Sequence, residues 1–126
     1  MTERDTTILL VDDHPLVRDG LRARLEAAPR LRVVGEAASN QEALEQAGLC
    51  QPDLVLMDVN LQEGGNGIDA AHQLRAFERP PIVLFLTSYV DSETRRLMEE
   101  AQPFGIVQKP YAESQLQQTV AKALGG

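Results

Sequence analysis

Short apolar segments alternate along the chain with stretches of helical periodicity. Uninterrupted apolar runs occupy residues 8–11, 54–57, 82–86 and 104–107. Apolar and polar residues do not alternate within these runs, so both faces of each predicted strand are expected to be buried. A further segment, 31–34, is interrupted by Arg32 and predicts an edge strand. The pattern is typical of a parallel sheet covered by helices.

The intervening stretches predict five helices. Pro15 fits the first turn of the first helix, and Ser39 followed by Glu42 forms a capping-box pattern at the start of the second. The predicted inward-facing residues, helix by helix, are Val17, Leu21, Leu25 and Ala28; Ala43, Leu44 and Ala47; Ile68, Ala71 and Leu74; Thr94, Leu97, Met98 and Ala101; and Leu116, Val120 and Leu124. Strands that alternate with helices predict an α/β fold, a doubly wound parallel sheet.

Composition narrows the class of protein. The length of 126 residues suits a single domain spanning 1–126, of which we expect about 7–124 to be ordered. The net charge of −7 argues against bulk binding to nucleic acid or anionic membranes, and the single cysteine excludes an internal disulfide. No apolar run is long enough to span a membrane, and the polar N-terminus is unlike a signal peptide, so we expect a cytoplasmic location.

Polar side chains follow the predicted strands at the edge where α/β proteins bind ligands. The residues at these strand ends are Asp12, Asp13, Asp58, Thr87, Ser88, Lys109 and Pro110. Three clustered carboxylates repel each other and need a cation, and Mg²⁺ prefers such oxygen ligands. Carboxylates, a hydroxyl and an ammonium group around a divalent cation suit phosphoryl transfer to an aspartate.

The motifs that contain these residues resemble those of a known family. They are residues 8–13 (ILLVDD), 54–58 (LVLMD), 84–88 (LFLTS) and the Lys109–Pro110 pair. The chain resembles the receiver domain of bacterial two-component response regulators from Thr7 to Leu124. Residues 12–18 are similar to receivers that carry a DNA-binding helix-turn-helix. Residues 87–89 and 103–105 look more like stand-alone receivers of the chemotaxis-regulator type, or those associated with hybrid kinases.

The resemblance implies a flavodoxin-like fold with strand order 2-1-3-4-5 and a set of residue roles. Asp58 would accept the phosphoryl group. Asp12, Asp13, Asp58 and the backbone carbonyl of Asn60 would bind Mg²⁺. Thr87 would be the switch hydroxyl, and Lys109 would contact the phosphoryl group.

The resemblance also implies partners. A histidine kinase or histidine phosphotransfer protein would donate the phosphoryl group, and a downstream protein would read the switch. The domain itself would bind neither nucleic acid nor membrane, and a phosphorylation-dependent dimer stays open. It would be no enzyme beyond catalysing its own phosphorylation and dephosphorylation.

Departures from the family pattern keep alternatives open. Ile106 stands three residues before the lysine, where many receivers carry an aromatic residue, and Gln108 replaces an apolar one. One alternative is therefore a degenerate receiver that acts as a phosphorylation-independent interaction module. Another is a receiver fragment of a DNA-binding response regulator. A phosphohydrolase of the haloacid-dehalogenase type is disfavoured, because Asn60 stands where such enzymes need an acidic residue.

The acidic chain also contains a basic cluster near its first helix. Its members are Arg18, Arg22, Arg24, Arg30 and Arg32. These arginines either form a solvated face or help to dock the phosphodonor, and the sequence leaves both open.

Overall fold

A computed structural model describes residues 5–28, 30–61, 65–87, 92–108 and 113–123. The strands are β1 (Thr6–Val11), β2 (Leu31–Ala37), β3 (Leu54–Asp58), β4 (Asn60–Leu61), β5 (Gly65–Asn66), β6 (Ile82–Thr87) and β7 (Gly105–Gln108). The helices are α1 (Pro15–Glu26), α2 (Asn40–Cys50), α3 (Gly67–Leu74), α4 (Ser92–Glu100) and α5 (Glu113–Ala123).

The five longer strands form one parallel sheet in the order β2-β1-β3-β6-β7, which is the 2-1-3-4-5 order of the flavodoxin-like fold. The prediction of a doubly wound parallel sheet is therefore confirmed, and β2 lies at an edge as its interrupted pattern indicated. The short strands β4 and β5 pair separately, as an antiparallel ribbon that follows β3.

Two apolar clusters cover the two faces of the sheet. Alternate residues of β1 point to opposite faces: Leu9 and Val11 pack with α2, α3 and α4, whereas Ile8 and Leu10 pack with α1 and α5. Every residue of β3 is buried, as expected for a central strand covered on both sides.

Helix starts follow the sequence signals. Ser39 Oγ accepts a hydrogen bond from the backbone N–H of Glu42 at 3.1 Å, which confirms the predicted cap of α2. The carboxylate of Glu42 in turn accepts a hydrogen bond from the backbone N–H of Ala38 at 2.8 Å, so the residue before Ser39 donates the second bond. Asn66 caps α3 in a similar way, with its side-chain oxygen 2.7 Å from the N–H of Ile68.

Some expectations about the core are wrong at the ends of elements. Val17 was expected to face inward, but it is 37 % exposed, because the apolar stripe of α1 reaches the core only from Leu21 onward. Phe104 was expected within a strand, but it precedes β7 and is 52 % exposed. Its backbone N–H still bonds the carbonyl of Val83, so the side chain alone leaves the core.

The predicted inward face of α4 is only partly buried. Met98 is buried, and Ala101 just beyond the helix is buried with it, whereas Leu97 is 37 % exposed and Thr94 is partly exposed. Ala28 and Leu44 are only partly buried, and Leu124 lies outside the described residues.

Candidate functional site

Strand order brings the predicted acidic residues together. Strand β1 lies beside β3, with Val11 opposite Met57, so the residues that follow these positions emerge at the same edge of the sheet. Asp12 immediately follows β1, and Asp58 is the last residue of β3. The two aspartates are far apart in sequence and become neighbours only because these strands pair.

Four side chains form a compact cluster at this edge. Carboxylate oxygens of Asp12, Asp13 and Asp58 and a ring nitrogen of His14 all lie within 4.8 Å of one another. Asp12 is 2 % exposed and Asp58 is 6 % exposed, whereas Asp13 is less deeply buried. The cluster is therefore buried at Asp12 and Asp58 and more open to solvent at Asp13 and His14.

The donor set fits a hard divalent cation. Carboxylates held this close repel each other, and a cation relieves that repulsion. Mg²⁺ takes oxygen ligands and keeps several of its waters, so a cluster of three carboxylates that is open to solvent at Asp13 suits it. Asn60 lies in β4, two residues beyond Asp58, where its backbone pairs with Asn66. Its side chain is not described.

His14 was left out of the site predicted from sequence. Its backbone N–H donates to Asp12 Oδ1 at 2.8 Å, and its Nδ1 lies 2.8 Å from Asp13 Oδ1 and 3.2 Å from Asp12 Oδ1. His14 occupies the position before α1, but its side chain makes no capping bond to the helix. The only sequence signal for its place in the site is that it adjoins the acidic pair.

A second feature that the sequence did not reveal is an ion-pair network beneath the acidic loop. Arg18 donates through Nη1 to the backbone carbonyl of Asp12 and through Nε to Glu36 Oε1 at 2.8 Å. Arg22 donates to the other carboxylate oxygen of Glu36 at 2.7 Å and 3.1 Å. Burial would raise the pKa of Glu36, but the hydrogen bonds from Arg22 and Arg18 outweigh it and hold that pKa below its ordinary value.

This network changes the interpretation of the basic cluster. Arg18 and Arg22 turn toward Glu36 on the edge strand β2, so much of their charge is balanced within the domain. Arg24, Arg30 and Arg32 are exposed. Of the two alternatives that the sequence left open, a solvated face does not describe Arg18, whose side chain is only 15 % exposed.

Gly67 makes a close backbone approach behind Asp58. A Cβ atom at Gly67 would stand 2.2 Å from the carbonyl oxygen of Asp58 and 2.9 Å from Cγ of Met57. The N–H of Gly67 donates to the carbonyl of Val59 at 3.0 Å. The start of α3 thus packs directly onto the backbone that carries Asp58, and only glycine leaves room for it.

The remaining predicted site residues divide into described and undescribed ones. Thr87 is the last residue of β6, is completely buried, and lies opposite Gln108 of β7. Ile106 is partly buried and packs against the apolar cluster on the side of α2, α3 and α4. Ser88, Lys109 and Pro110 lie outside the described residues.

Comparison with known proteins assigns the chain to a family. The response regulator receiver domain model matches residues 8–121, and the chain therefore belongs to that family. Receiver domains of this family are signalling modules of two-component response regulators.

The curated relatives are longer proteins. The chain is 42 % identical over 86 residues to the transcriptional regulatory protein LiaR of Bacillus subtilis, covering 68 % of this chain and 40 % of LiaR. It is 32 % identical over 115 residues to the sensory transduction protein LytT of Bacillus cereus, covering 91 % of this chain and 46 % of LytT. The chain thus spans less than half the length of these relatives.

Solved structures agree with the fold. A two-component response regulator of the LuxR family from Aurantimonas has a TM-score of 0.87 and 35 % identity, covering 96 % of this chain and 86 % of that one. The receiver domain of the response regulator NarL from Mycobacterium tuberculosis has a TM-score of 0.90 and 26 % identity, covering 98 % of this chain and 99 % of that one. Within the described part of the chain, no helix is both long and apolar enough to cross a bilayer.

Proposed function

We propose that this domain accepts a phosphoryl group on Asp58 from a phosphohistidine and thereby switches a partner-binding face. The observation that carries the proposal is the convergence of Asp58 with Asp12 and Asp13 at the carboxyl edge of the sheet, within 4.8 Å. Receivers bind Mg²⁺ through an acidic pocket of this kind. We assign the cation to Asp12, Asp13, Asp58 and the backbone carbonyl of Asn60.

The chemical step is a transfer between two nucleophiles. A carboxylate oxygen of Asp58 forms a bond to phosphorus while the phosphorus–nitrogen bond to the donor imidazole breaks, and the released imidazole takes up a proton. Bound Mg²⁺ would neutralise negative charge on the phosphoryl oxygens. Asp58 is held by a central strand that is buried along its whole length, so the nucleophile approaches the donor from a fixed position.

Two further residues complete the proposed site. Lys109 follows β7 in the sequence, and we assign it to a phosphoryl oxygen through its positive charge. Thr87 ends the neighbouring strand β6, and its hydroxyl is the group we expect to bond the phosphoryl once it is attached. The bond to Thr87 would bias a conformational equilibrium of the surrounding loops.

The switch differs in one respect from the common form of this family. Ile106 takes the place of the usual aromatic residue and is already partly packed against the core. A movement of Thr87 would therefore be read through repacking of an aliphatic side chain and not through rotation of a ring. This substitution is also the observation that favours the second candidate, an interaction module that works without phosphorylation.

The proposed partners follow from this role. A histidine kinase or histidine phosphotransfer protein in the cytoplasm supplies the phosphoryl group, and a downstream protein or output domain reads the altered face. LiaR, which the chain resembles, is named as a transcriptional regulatory protein. The receiver itself, with a net charge of −7 over residues 1–126, is proposed to act as one domain without binding nucleic acid.

Intact-mass spectrometry after incubation with acetyl phosphate and Mg²⁺ tests the proposal. We expect one added phosphoryl group on the wild-type chain and on an Asp69→Asn control, since Asp69 is an exposed aspartate on α3. Asp58→Asn and samples with EDTA should show none. A folded wild-type chain that forms neither this adduct nor a beryllofluoride complex would favour the interaction module.

A further inference from the structure

The guanidinium group of Arg18 joins three parts of the fold. It reaches from α1 to the backbone carbonyl of Asp12, which follows β1, and to the carboxylate of Glu36 on β2. Its side chain is 15 % exposed, and Glu36 is fixed from the other side by Arg22. Arg18 therefore has little freedom to leave the Asp12 carbonyl.

We infer that Arg18 is a positioning residue for the cation site, acting through the peptide that joins Asp12 to Asp13. The carbonyl of Asp12 lies in the same rigid plane as the N–H of Asp13, so fixing one fixes the other. The plane also sets the direction in which the Asp13 side chain leaves the backbone. Asp13 is the less buried of the two adjacent carboxylates, so the core constrains it less, and the peptide plane adds to the contact that His14 Nδ1 makes with its carboxylate at 2.8 Å.

Glu36 is needed to make this contact specific. Without it, a guanidinium beside an acidic pocket could bond the carboxylates themselves and compete with a cation. The bond from Nε to Glu36 Oε1 turns the group so that Nη1 meets the carbonyl of Asp12. The neighbouring Asp12 N–H is fixed separately by the carbonyl of Ala37 at 3.0 Å. The backbone N–H of Asp12 is thus bonded directly to β2, and its carbonyl is connected to β2 through Arg18 and Glu36.

Arginine is required by this geometry, and lysine should not replace it. The planar guanidinium offers several N–H donors in a fixed fork, so one group can bond a carbonyl and a carboxylate together. A lysine ammonium keeps the charge but has neither the fork nor the reach to hold both acceptors in fixed directions. Arg18→Lys therefore tests geometry without changing the charge near the pocket.

Arg22 provides a matched control. It lies on the same helix and bonds the same carboxylate, but within the described residues its hydrogen bonds go to Glu36 and its other ion pair, at 4.0 Å, is with Glu26 and not with the carbonyl of Asp12. Arg22→Lys should cost similar stability and leave the Asp12–Asp13 peptide in place.

The inference rests on the proposed function in that it assumes a Mg²⁺ site at the acidic cluster. Titration calorimetry measures the Kd for Mg²⁺ in wild type and in the two variants. Loss of groups that orient metal ligands typically weakens binding 10–100-fold. We expect Arg18→Lys to raise the Kd for Mg²⁺ about tenfold, and Arg22→Lys to leave it nearly unchanged at a similar loss of urea stability. The same Kd for Mg²⁺ in the two variants would overturn the inference. So would a loss of Mg²⁺ affinity in proportion to the loss of urea stability in both variants.

A second readout needs no metal. In the Mg²⁺-free protein, amide hydrogen exchange at Asp12, whose N–H donates to the carbonyl of Ala37, should be faster in Arg18→Lys than in Arg22→Lys, because the backbone that follows β1 is no longer held from its carbonyl side. A wild-type chain that binds no Mg²⁺ contradicts the proposed function, while the exchange data still decide the role of Arg18. If Arg18→Lys does not fold, Glu36→Gln takes its place, and it should accelerate the same amide while leaving that of Leu56 in β3 protected.

Discussion

The carbonyl oxygen of Asp58 and the α-carbon of Gly67 are in such close approach that a Cβ atom at Gly67 would stand 2.2 Å from that oxygen. Real side chains do not tolerate this distance, so either the start of α3 or the end of β3 must shift when Gly67 is replaced. Since Asp58 ends β3, a shift there displaces the proposed phosphoacceptor.

Gly67→Ala should therefore destabilise the protein and slow phosphorylation together. We expect a loss of about 3 kcal/mol in the free energy of unfolding, at the upper end of the cost of overpacking. Urea unfolding and the rate of adduct formation with acetyl phosphate measure the two effects. Gly20→Ala is the control, because nothing lies within 4 Å of a Cβ atom at Gly20 in α1. Alanine has the higher helix propensity, so this substitution should increase the free energy of unfolding by about 0.5–1 kcal/mol. Equal effects at both positions would contradict the assigned packing.

Glu36 should make stability depend on pH in a defined direction. Its folded pKa lies below the ordinary value of 4.5, because the bonds from Arg22 and Arg18 outweigh the effect of burial. A group whose pKa is lowered by folding stabilises the protein above its unfolded pKa, and that contribution is lost as pH falls through the folded value. Glu36→Gln should thus lower the free energy of unfolding by about 1 kcal/mol at neutral pH, since solvent screens part of the interaction, and by progressively less below pH 4.5.

The measurement is urea unfolding of wild type and Glu36→Gln from neutral to acidic pH. The difference in free energy of unfolding between the two proteins should stay constant above pH 4.5 and become smaller below that pH. Glu45→Gln on the exposed face of α2 should show a small difference without this narrowing. A Glu36 difference that grew toward acidic pH would contradict the sign of the shift.

Removing one carboxylate from the acidic cluster should stabilise the Mg²⁺-free protein and abolish its stabilisation by Mg²⁺. Asp13→Asn takes a negative charge out of a cluster whose members lie within 4.8 Å, so we expect the protein in EDTA to gain about 1 kcal/mol. The same variant should lose the increase in Tm that Mg²⁺ gives the wild type, because stabilisation by a ligand requires binding to the native state. Asp19→Asn, on an exposed part of α1, should leave both values unchanged. Retention of the full Mg²⁺ effect in Asp13→Asn would remove Asp13 from the proposed ligand set.

Replacement of a leucine by alanine should have very different effects on stability at the two ends of α1. Leu25 is completely buried between α1 and the sheet, whereas Leu16 is 85 % exposed. Leu25→Ala should cost about 3 kcal/mol, since it leaves a cavity, and Leu16→Ala less than about 0.5 kcal/mol. Chemical denaturation checks both. A large loss for Leu16→Ala would mean that the first turn of α1 is packed more tightly than the structure shows.

The sequence predicted the order of the elements and the class of the fold. Uninterrupted apolar runs marked the strands, and helical stripes such as Leu21 and Leu25 marked the helices. These patterns can be recognised within a single segment of the sequence, because the buried face of a strand or helix must be lined with apolar residues at the spacing of that element. They also predicted the cap at Ser39, since a side-chain oxygen and the N–H it accepts from are only three residues apart.

The approximate place of the site followed from the sequence as well. Parallel strands share a carboxyl edge, so Asp12, Asp58 and Thr87 were expected at one place once the strands were recognised. Their roles in phosphoryl transfer remain predictions.

The tertiary structure decided what depends on distant contacts. Arg18 and Glu36 are eighteen residues apart and meet only because α1 packs beside β2, so no local pattern could distinguish Arg18 from a solvated arginine. The requirement for glycine at position 67 likewise arises from the backbone of Asp58, and the exposure of Val17 from the point where α1 passes beyond the sheet. Periodicity determines which residues can be buried, whereas the packing of one element against another determines which of them are buried and which polar groups meet.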